Sequence, residues 1–340
     1  MFADLRATDV LAAAERIRHA VRRTRLVRSA ALSDVAGGDV YLKLESEQLT
    51  GSFKVRGALN ALATLPEAVR RRGVVASSAG NHGLGVAYAA SELGVPATIF
   101  VPSTAPKVKR DGIAALGATL DASQPHYDAA MAAAKAFAAQ RGLTYINPCL
   151  GDPLLAGQGT VALEILSDLP DVSSIVLPVG GGGLLGGVAS LVRRVAPDVR
   201  ILGAQSVNTA AMSRSVAAGY VVEIPVAPTL ADGLAGQIDD EALDIGLHGL
   251  DEIVTLTEEE IARTIAWLAQ THDITAEGAG AVGVGAAWLG KLPKLTTPAA
   301  VVVSGGNIDA ARLSEILGGV GRERRGMQAV ATAVIPQEGG

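Results

Sequence analysis

The chain has 340 residues, 49% of them hydrophobic and 19% charged, with 29 basic and 34 acidic side chains and a net charge of −5. That length suits two lobes of an enzyme rather than one domain, and the absence of a large basic cluster excludes a nucleic-acid footprint. Cys149 is the only cysteine, which excludes an intrachain disulfide and any zinc site built from several cysteines.

The opening residues, Met1 to Arg6, lack the apolar core of a signal peptide. Gly, Ser and charged residues break every apolar run short of bilayer length, so a soluble cytoplasmic protein is expected. The pattern predicts a first helix over Asp9–Arg22, then a mixed strand over residues 39–44. Near-continuous apolar strands follow at residues 74–76, 97–101, 174–177, 201–204 and 299–303. Strands of that kind, bounded by turn residues, indicate a parallel sheet buried on both faces. Further helices are predicted over His82–Leu93, Tyr127–Arg141, Leu184–Val195, Glu258–Ala269 and Ala279–Leu289. The alternation is that of an α/β fold with right-handed crossovers. Residues 1–72 and 151–325 are expected to form a large discontinuous lobe and residues 73–150 a small one, with a ligand cleft between them. Residues 326–340 read as a flexible tail, and Arg22-Arg23 and Arg322-Glu323-Arg324-Arg325 as solvated helix faces or ends.

Four short stretches carry chemistry. Gly51-Ser52-Phe53-Lys54-Val55-Arg56-Gly57-Ala58 sets a lysine among small apolar residues. Burial there would favour the neutral amine that attacks a carbonyl; a lysine whose stem lies along the core while its head reaches water fits the same octapeptide. Ser77-Ser78-Ala79-Gly80-Asn81-His82-Gly83 joins a strand to a helix, where unpaired N–H groups can hold a carboxylate or phosphate, or where Ser and Asn simply cap. Pro178-Val179-Gly180-Gly181-Gly182-Gly183-Leu184 repeats the strand–loop–helix order. Four consecutive glycines point to backbone N–H groups converging on a phosphate, and the sequence fits neither a Walker loop nor a dinucleotide fingerprint. Val303-Ser304-Gly305-Gly306-Asn307 ends an apolar strand, where ligands of open α/β sheets sit and where serine also serves as a turn former.

Taken together and in this order, the four motifs resemble the fold type II pyridoxal-phosphate enzymes of the serine/threonine dehydratase family, over residues 9 to 311. Ala156-Gly157-Gln158-Gly159-Thr160, Leu230-Ala231-Asp232-Gly233 and Glu277-Gly278-Ala279-Gly280-Ala281 add to the match. With Gln205-Ser206, the Glu277 stretch looks most like the catabolic threonine dehydratases. The resemblance implies a two-lobed fold like the tryptophan synthase β-subunit, with open, mostly parallel sheets flanked by helices. Its cofactor would be pyridoxal 5'-phosphate and its assembly a homodimer or homotetramer. Lys54 would be the Schiff-base lysine, Asn81 the partner of the ring oxygen, and Gly180, Gly181, Gly182 and Gly183 the phosphate cradle. Ser304 would face the pyridine nitrogen, and Ser78, Ala79, Gly80, Asn81 and His82 would hold the substrate carboxylate. No metal ligand is expected.

The implied reaction is loss of the β-hydroxyl from L-threonine or L-serine, giving a 2-oxo acid and ammonia. Dehydration of 3-hydroxyaspartate or a hydroxyectoine-derived amino acid stays open beside it. So do a β-replacement synthase, a serine racemase and, in another class, a binding protein that keeps the fold. The Ser52–Gly57 stretch has the dehydratase form rather than the synthase form, and a binding protein would be expected to have lost Lys54. Racemases of the family carry a serine where this chain has Ala79, and an acidic pair where it has Gln205 and Ala211. Arg25 stands where the family has proline. The catalytic pattern runs to Asn307, and residues 308–340 are too few for a separate effector domain. Simple saturation kinetics without feedback by isoleucine are therefore expected.

Overall fold

The apolar runs become the inner strands of two sheets in the computed structural model, which describes residues 5–105, 107–225 and 227–319. In chain order the strands are β1 Leu26–Arg28, β2 Val40–Leu44, β3 Val74–Ser77, β4 Ala97–Pro102 and β5 Thr119–Gln124, followed by β6 Thr144–Tyr145, β7 Ser174–Pro178, β8 Arg200–Ser206, β9 Glu252–Leu256 and β10 Ala299–Val303. Six of them form one sheet in the order β1-β2-β10-β7-β8-β9, and four form a second, β5-β4-β3-β6. Every pairing among them is parallel except β1 with β2. This is the α/β architecture of open, mostly parallel sheets that the sequence predicts. The expected tail over residues 326–340 and the basic run Arg322–Arg325 lie outside the described residues.

The centre of the larger sheet explains why its strands read as unbroken hydrophobic runs. Successive side chains of a strand point to opposite faces, and both faces of β7 and β10 are covered. Ile175, Leu177, Ala300 and Val302 join one apolar cluster, while Val176, Ala299, Val301 and Val303 join the other. No alternation with polar residues survives such burial.

The C-terminal ends of β2, β10 and β7 lie side by side, since Val303 pairs with Leu44 and Val301 with Val176. Residues 45–50, 304–307 and 179–182 therefore leave the sheet along one edge. Beside that edge runs the helix Lys54–Thr64, which packs between the helices Asn81–Leu93 and Asp152–Asp168. Its crossing with the latter is close: a methyl on Gly157 would stand 2.5 Å from the Arg56 carbonyl oxygen. Both Gly57 and the Ala156–Thr160 stretch thus serve helix packing. Among the described residues, no helix is long and apolar enough to cross a membrane.

Candidate active site

Lys54 is the first residue of its helix, and backbone bonds fix it to the end of β10. The Phe53 N–H donates to the Ser304 carbonyl at 3.1 Å, and the Gly306 N–H donates to Gly51 at 2.9 Å. An antiparallel bridge joins Ser52 to Gly305 between them. The Lys54 ammonium donates to the Pro148 carbonyl at 2.8 Å. Its side chain is half-buried, as a lysine whose stem lies along the core would be; the fully buried lysine nearby is Lys43, against Glu164 at 2.5 Å. The apolar surroundings of Lys54 belong to the rest of the helix, where Val55, Ala58, Leu59 and Leu62 enter the core.

From Lys54 the contacts lead directly to the glycine loop. Pro148 precedes Cys149, and a methyl on Gly181 would stand 2.8 Å from the Cys149 sulfur, one on Gly183 3.0 Å from its Cα. Gly182 has φ +87°, the left-handed region in which only glycine is free of strain. The loop's glycines are therefore demanded partly by Cys149 as well as by whatever the loop holds. The helix Gly183–Val195 begins there, and its first N–H groups have no partner within the helix. Together they leave a turn free of side chains at the positive end of a helix, where an anion can be held.

The Ser78–His82 loop follows β3. The Ser78 hydroxyl accepts from the Gly80 N–H at 3.1 Å, closing the turn. Asn81 starts the next helix and gives its amide N–H to Glu277 Oε1 at 2.6 Å, while its Oδ1 accepts from Asn307 at 2.7 Å. His82 turns away into the core, where Nε2 lies 3.0 Å from the Ile146 carbonyl and Nδ1 is buried without a hydrogen-bond partner. Burial, and then the nearby Lys54 charge, push the His82 imidazole down to about 3. In the unfolded chain it titrates near its ordinary 6.5, so the unfolded state binds the extra proton first as the pH falls. The stability that neutral His82 contributes is complete above pH 6.5 and is lost down to about pH 3, at about 1.4 kcal/mol per unit. His82→Asn should flatten this limb of a urea-midpoint titration; an unchanged slope would contradict the assignment.

Ser304 is buried at the end of β10, with its hydroxyl 3.5 Å from the Ala279 carbonyl. Sequence reasoning gave no role to Glu277, Asn307 or Pro148, yet all three touch the predicted site. The stretch beginning at Glu277 was visible as a motif, whereas nothing in the sequence marks a backbone carbonyl such as that of Pro148. Gln205, at a cation position of the racemases, spends both ends of its amide on the protein: Nε2 donates to the Thr209 carbonyl at 3.0 Å, and Oε1 accepts from Ser213 at 2.8 Å. Arg25, in place of proline, is held by Glu47 at 3.0 Å.

A family model described as pyridoxal-phosphate dependent enzyme matches residues 17–305. The L-threonine ammonia-lyase of Thermotoga maritima is 44% identical over 310 residues, covering 91% of this chain and 77% of that protein. The L-threonine dehydratase catabolic TdcB of Staphylococcus aureus is 37% identical over 314 residues, with 91% of each chain covered. Among solved structures, maize serine racemase matches with a TM-score of 0.87 at 29% identity, over 94% of this chain and 99% of that one. A match of this extent, on a chain whose lysine, asparagine, glycine loop and strand-end serine lie around one sheet edge, means that the chain belongs to the family of pyridoxal-phosphate-dependent enzymes.

Proposed function

We propose that the protein is a lyase removing the β-hydroxyl of L-threonine or L-serine, with release of a 2-oxo acid and ammonia. One observation carries the reading: the Lys54 amine is set between the strand-end serine, through the Phe53–Ser304 bond, and the glycine loop, through Pro148 and Cys149. The relatives' names supply the substrate class.

The residues present fit pyridoxal phosphate. The glycine cradle has no side chain to obstruct a phosphate, and the Ser52 hydroxyl beside Lys54 is buried without a hydrogen-bond partner. Lys54 would hold the cofactor covalently, Gly180 to Gly183 its phosphate, Asn81 its ring oxygen and Ser304 its ring nitrogen. The loop from Ser78 to His82 would take the substrate carboxylate. When bound, the cofactor withdraws electrons from the substrate's Cα and so acidifies its proton. The Lys54 amine, free once the substrate has taken its place, would be the base for that proton. Ser304 presents a hydroxyl, not a carboxylate, so the site places no negative charge where it would keep a ring-nitrogen proton. That neutrality would favour loss of the β-hydroxyl over return of the proton. Ala79 offers only a methyl where a second base would be needed to return it on the other face.

Residues 73–150, which contain all four strands of the smaller sheet, are taken as the small lobe, with 1–72 and 151–325 as the large one. A cytoplasmic homodimer or homotetramer completes the proposal, on the strength of the family resemblance.

Release of 2-oxo acid across a panel of β-hydroxy amino acids, 3-hydroxyaspartate included, tests the substrate class. Threonine and serine should lead the panel, and a silent panel refutes the reading. Chiral analysis of L-serine incubations should give pyruvate in excess of D-serine by at least about 100-fold, the scale of a missing general acid–base group. Comparable rates would make the protein a racemase.

A further inference from the structure

Glu277 is buried in the site, yet the reaction above gives it no task. It stands at the N-cap position of the helix Gly278–Trp288 without a side-chain capping bond, and its own N–H donates to the Gly305 carbonyl at 3.1 Å. A methyl on Gly305 would stand 2.4 Å from Glu277 Oε1 and 3.2 Å from the Asn81 amide nitrogen, so carboxylate and amide meet across bare backbone. The polarity of the chain of bonds is fixed at both ends. The Thr50 carbonyl can only accept, and it takes Asn307 Nδ2–H at 2.8 Å. The same Nδ2 serves Asn81 Oδ1 at 2.7 Å, which leaves Asn81 Nδ2 as donor to Glu277 at 2.6 Å. An amide flip at either asparagine would set donor against donor or acceptor against acceptor. One N–H of Asn81 is left over.

We propose that Glu277 and Asn307 are positioning residues of the reaction: they hold the Asn81 amide with its remaining N–H toward the cofactor's ring oxygen, and the Glu277 charge strengthens that donor. The proposal rests on the reading of Asn81 given above. Facing Glu277 are Asp232 from the turn at residues 232–234, Lys109 from the helix Lys107–Ala115, Lys54 and Asn81. Burial, and then Asp232, push the Glu277 carboxyl up to about 7, against the opposing pull of Asn81, Lys109 and Lys54. Lys109 is itself paired with the exposed Asp232 at 3.3 Å.

The test follows the visible absorption band of the bound cofactor in the holoenzyme as the pH is varied. In the wild type the band should titrate with a midpoint near pH 7. Glu277→Gln keeps an acceptor oxygen but no charge, and its band should not change with pH in that range. Asp232→Asn removes a like charge and releases Lys109, so the midpoint should move to lower pH. Asn307→Ala breaks the chain of bonds and should weaken cofactor binding on the order of tenfold. A wild-type titration in Glu277→Gln, or an unmoved midpoint in Asp232→Asn, overturns the proposal; if Glu277→Gln fails to fold, Asp232→Asn decides alone. Asn81→Ala separates the two levels. If it leaves band and affinity unchanged, the reading of Asn81 is wrong; if it changes them while Glu277→Gln and Asp232→Asn behave as wild type, only the positioning role fails.

Discussion

Lys54→Ala should lower 2-oxo-acid release by at least about 1,000-fold while the protein stays folded, since in the proposed reaction the substitution removes both the covalent anchor and the proton carrier. The structure separates these effects cleanly. Lys54 is half-buried, and its hydrogen bond goes to a backbone carbonyl, Pro148. It also sits at the first position of a helix, where a cation opposes the helix dipole. Removing it should leave the urea midpoint of the apoprotein unchanged or slightly raised, by a few tenths of a kcal/mol. Activity within tenfold of wild type would remove Lys54 from the mechanism.

The opposite pattern is expected two residues on. Arg56→Met should destabilise the fold by about 3–5 kcal/mol. The Arg56 guanidinium is 1% exposed and bonds both oxygens of Glu45 at 2.8 Å, and Glu164 at 2.7 and 3.0 Å. Lys43 holds Glu164 from the other side, and the Thr24 hydroxyl donates to Glu45 at 2.5 Å. Two buried cations balance two buried anions, so deleting one cation strands a carboxylate in the interior. Against a total stability of about 5–15 kcal/mol, that loss moves the urea midpoint far. Arg56→Lys keeps the charge but not the planar fork that serves two carboxylates, and should fall between. Burial alone would raise Glu45, but Arg56, helped by Thr24 and Lys43, outweighs it and holds the carboxyl below its ordinary 4.5. Glu45 therefore contributes stability that is present above pH 4.5 and lost as the pH falls through its folded-state value. In Arg56→Met the Glu45 share of this acid limb should shrink or reverse, because burial without the Arg56 charge raises the carboxyl. An unchanged midpoint would show that the cluster adds nothing to the fold.

The sequence pattern found the inner strands and missed the four edges. β1, β9, β5 and β6 close the two sheets, and an edge strand has neighbours on one side only. Thr119–Gln124 is accordingly polar and largely half-exposed, and Thr144–Tyr145 is two residues long. Neither has the apolar run that double-sided burial imposes on Ala299–Val303. The helix Asp152–Asp168 was hidden for another reason. Gly157 and Gly159 depress its helical propensity, and the close approaches that require them, to Arg56 and to Gly187, are visible only in three dimensions. In the site, Lys54, Asn81, the glycines and Ser304 were visible as motifs, and the roles expected of them come from the family resemblance. Glu277 and Asn307 were not, because their meaning lies in a chain of bonds joining residues 50, 307, 81 and 277. His82 was legible as a residue and not as a direction, since only the fold places the Ile146 carbonyl beside its ring.

The ties between Gly51–Phe53 and Ser304–Gly306 run from backbone to backbone, and this bears on how such a protein can be redesigned. Main-chain bonds place no demand on the side chains of the loops they join. The amine's location is thus insulated from sequence changes at residues 78, 79 and 80, whose side chains contribute to none of these ties. Libraries that vary those three positions to redirect the reaction or the substrate should retain Lys54 where it is and lose few members to misfolding. Libraries that touch Gly305 meet the Glu277 carboxylate at 2.4 Å and should be depleted of folded, cofactor-binding members from the start.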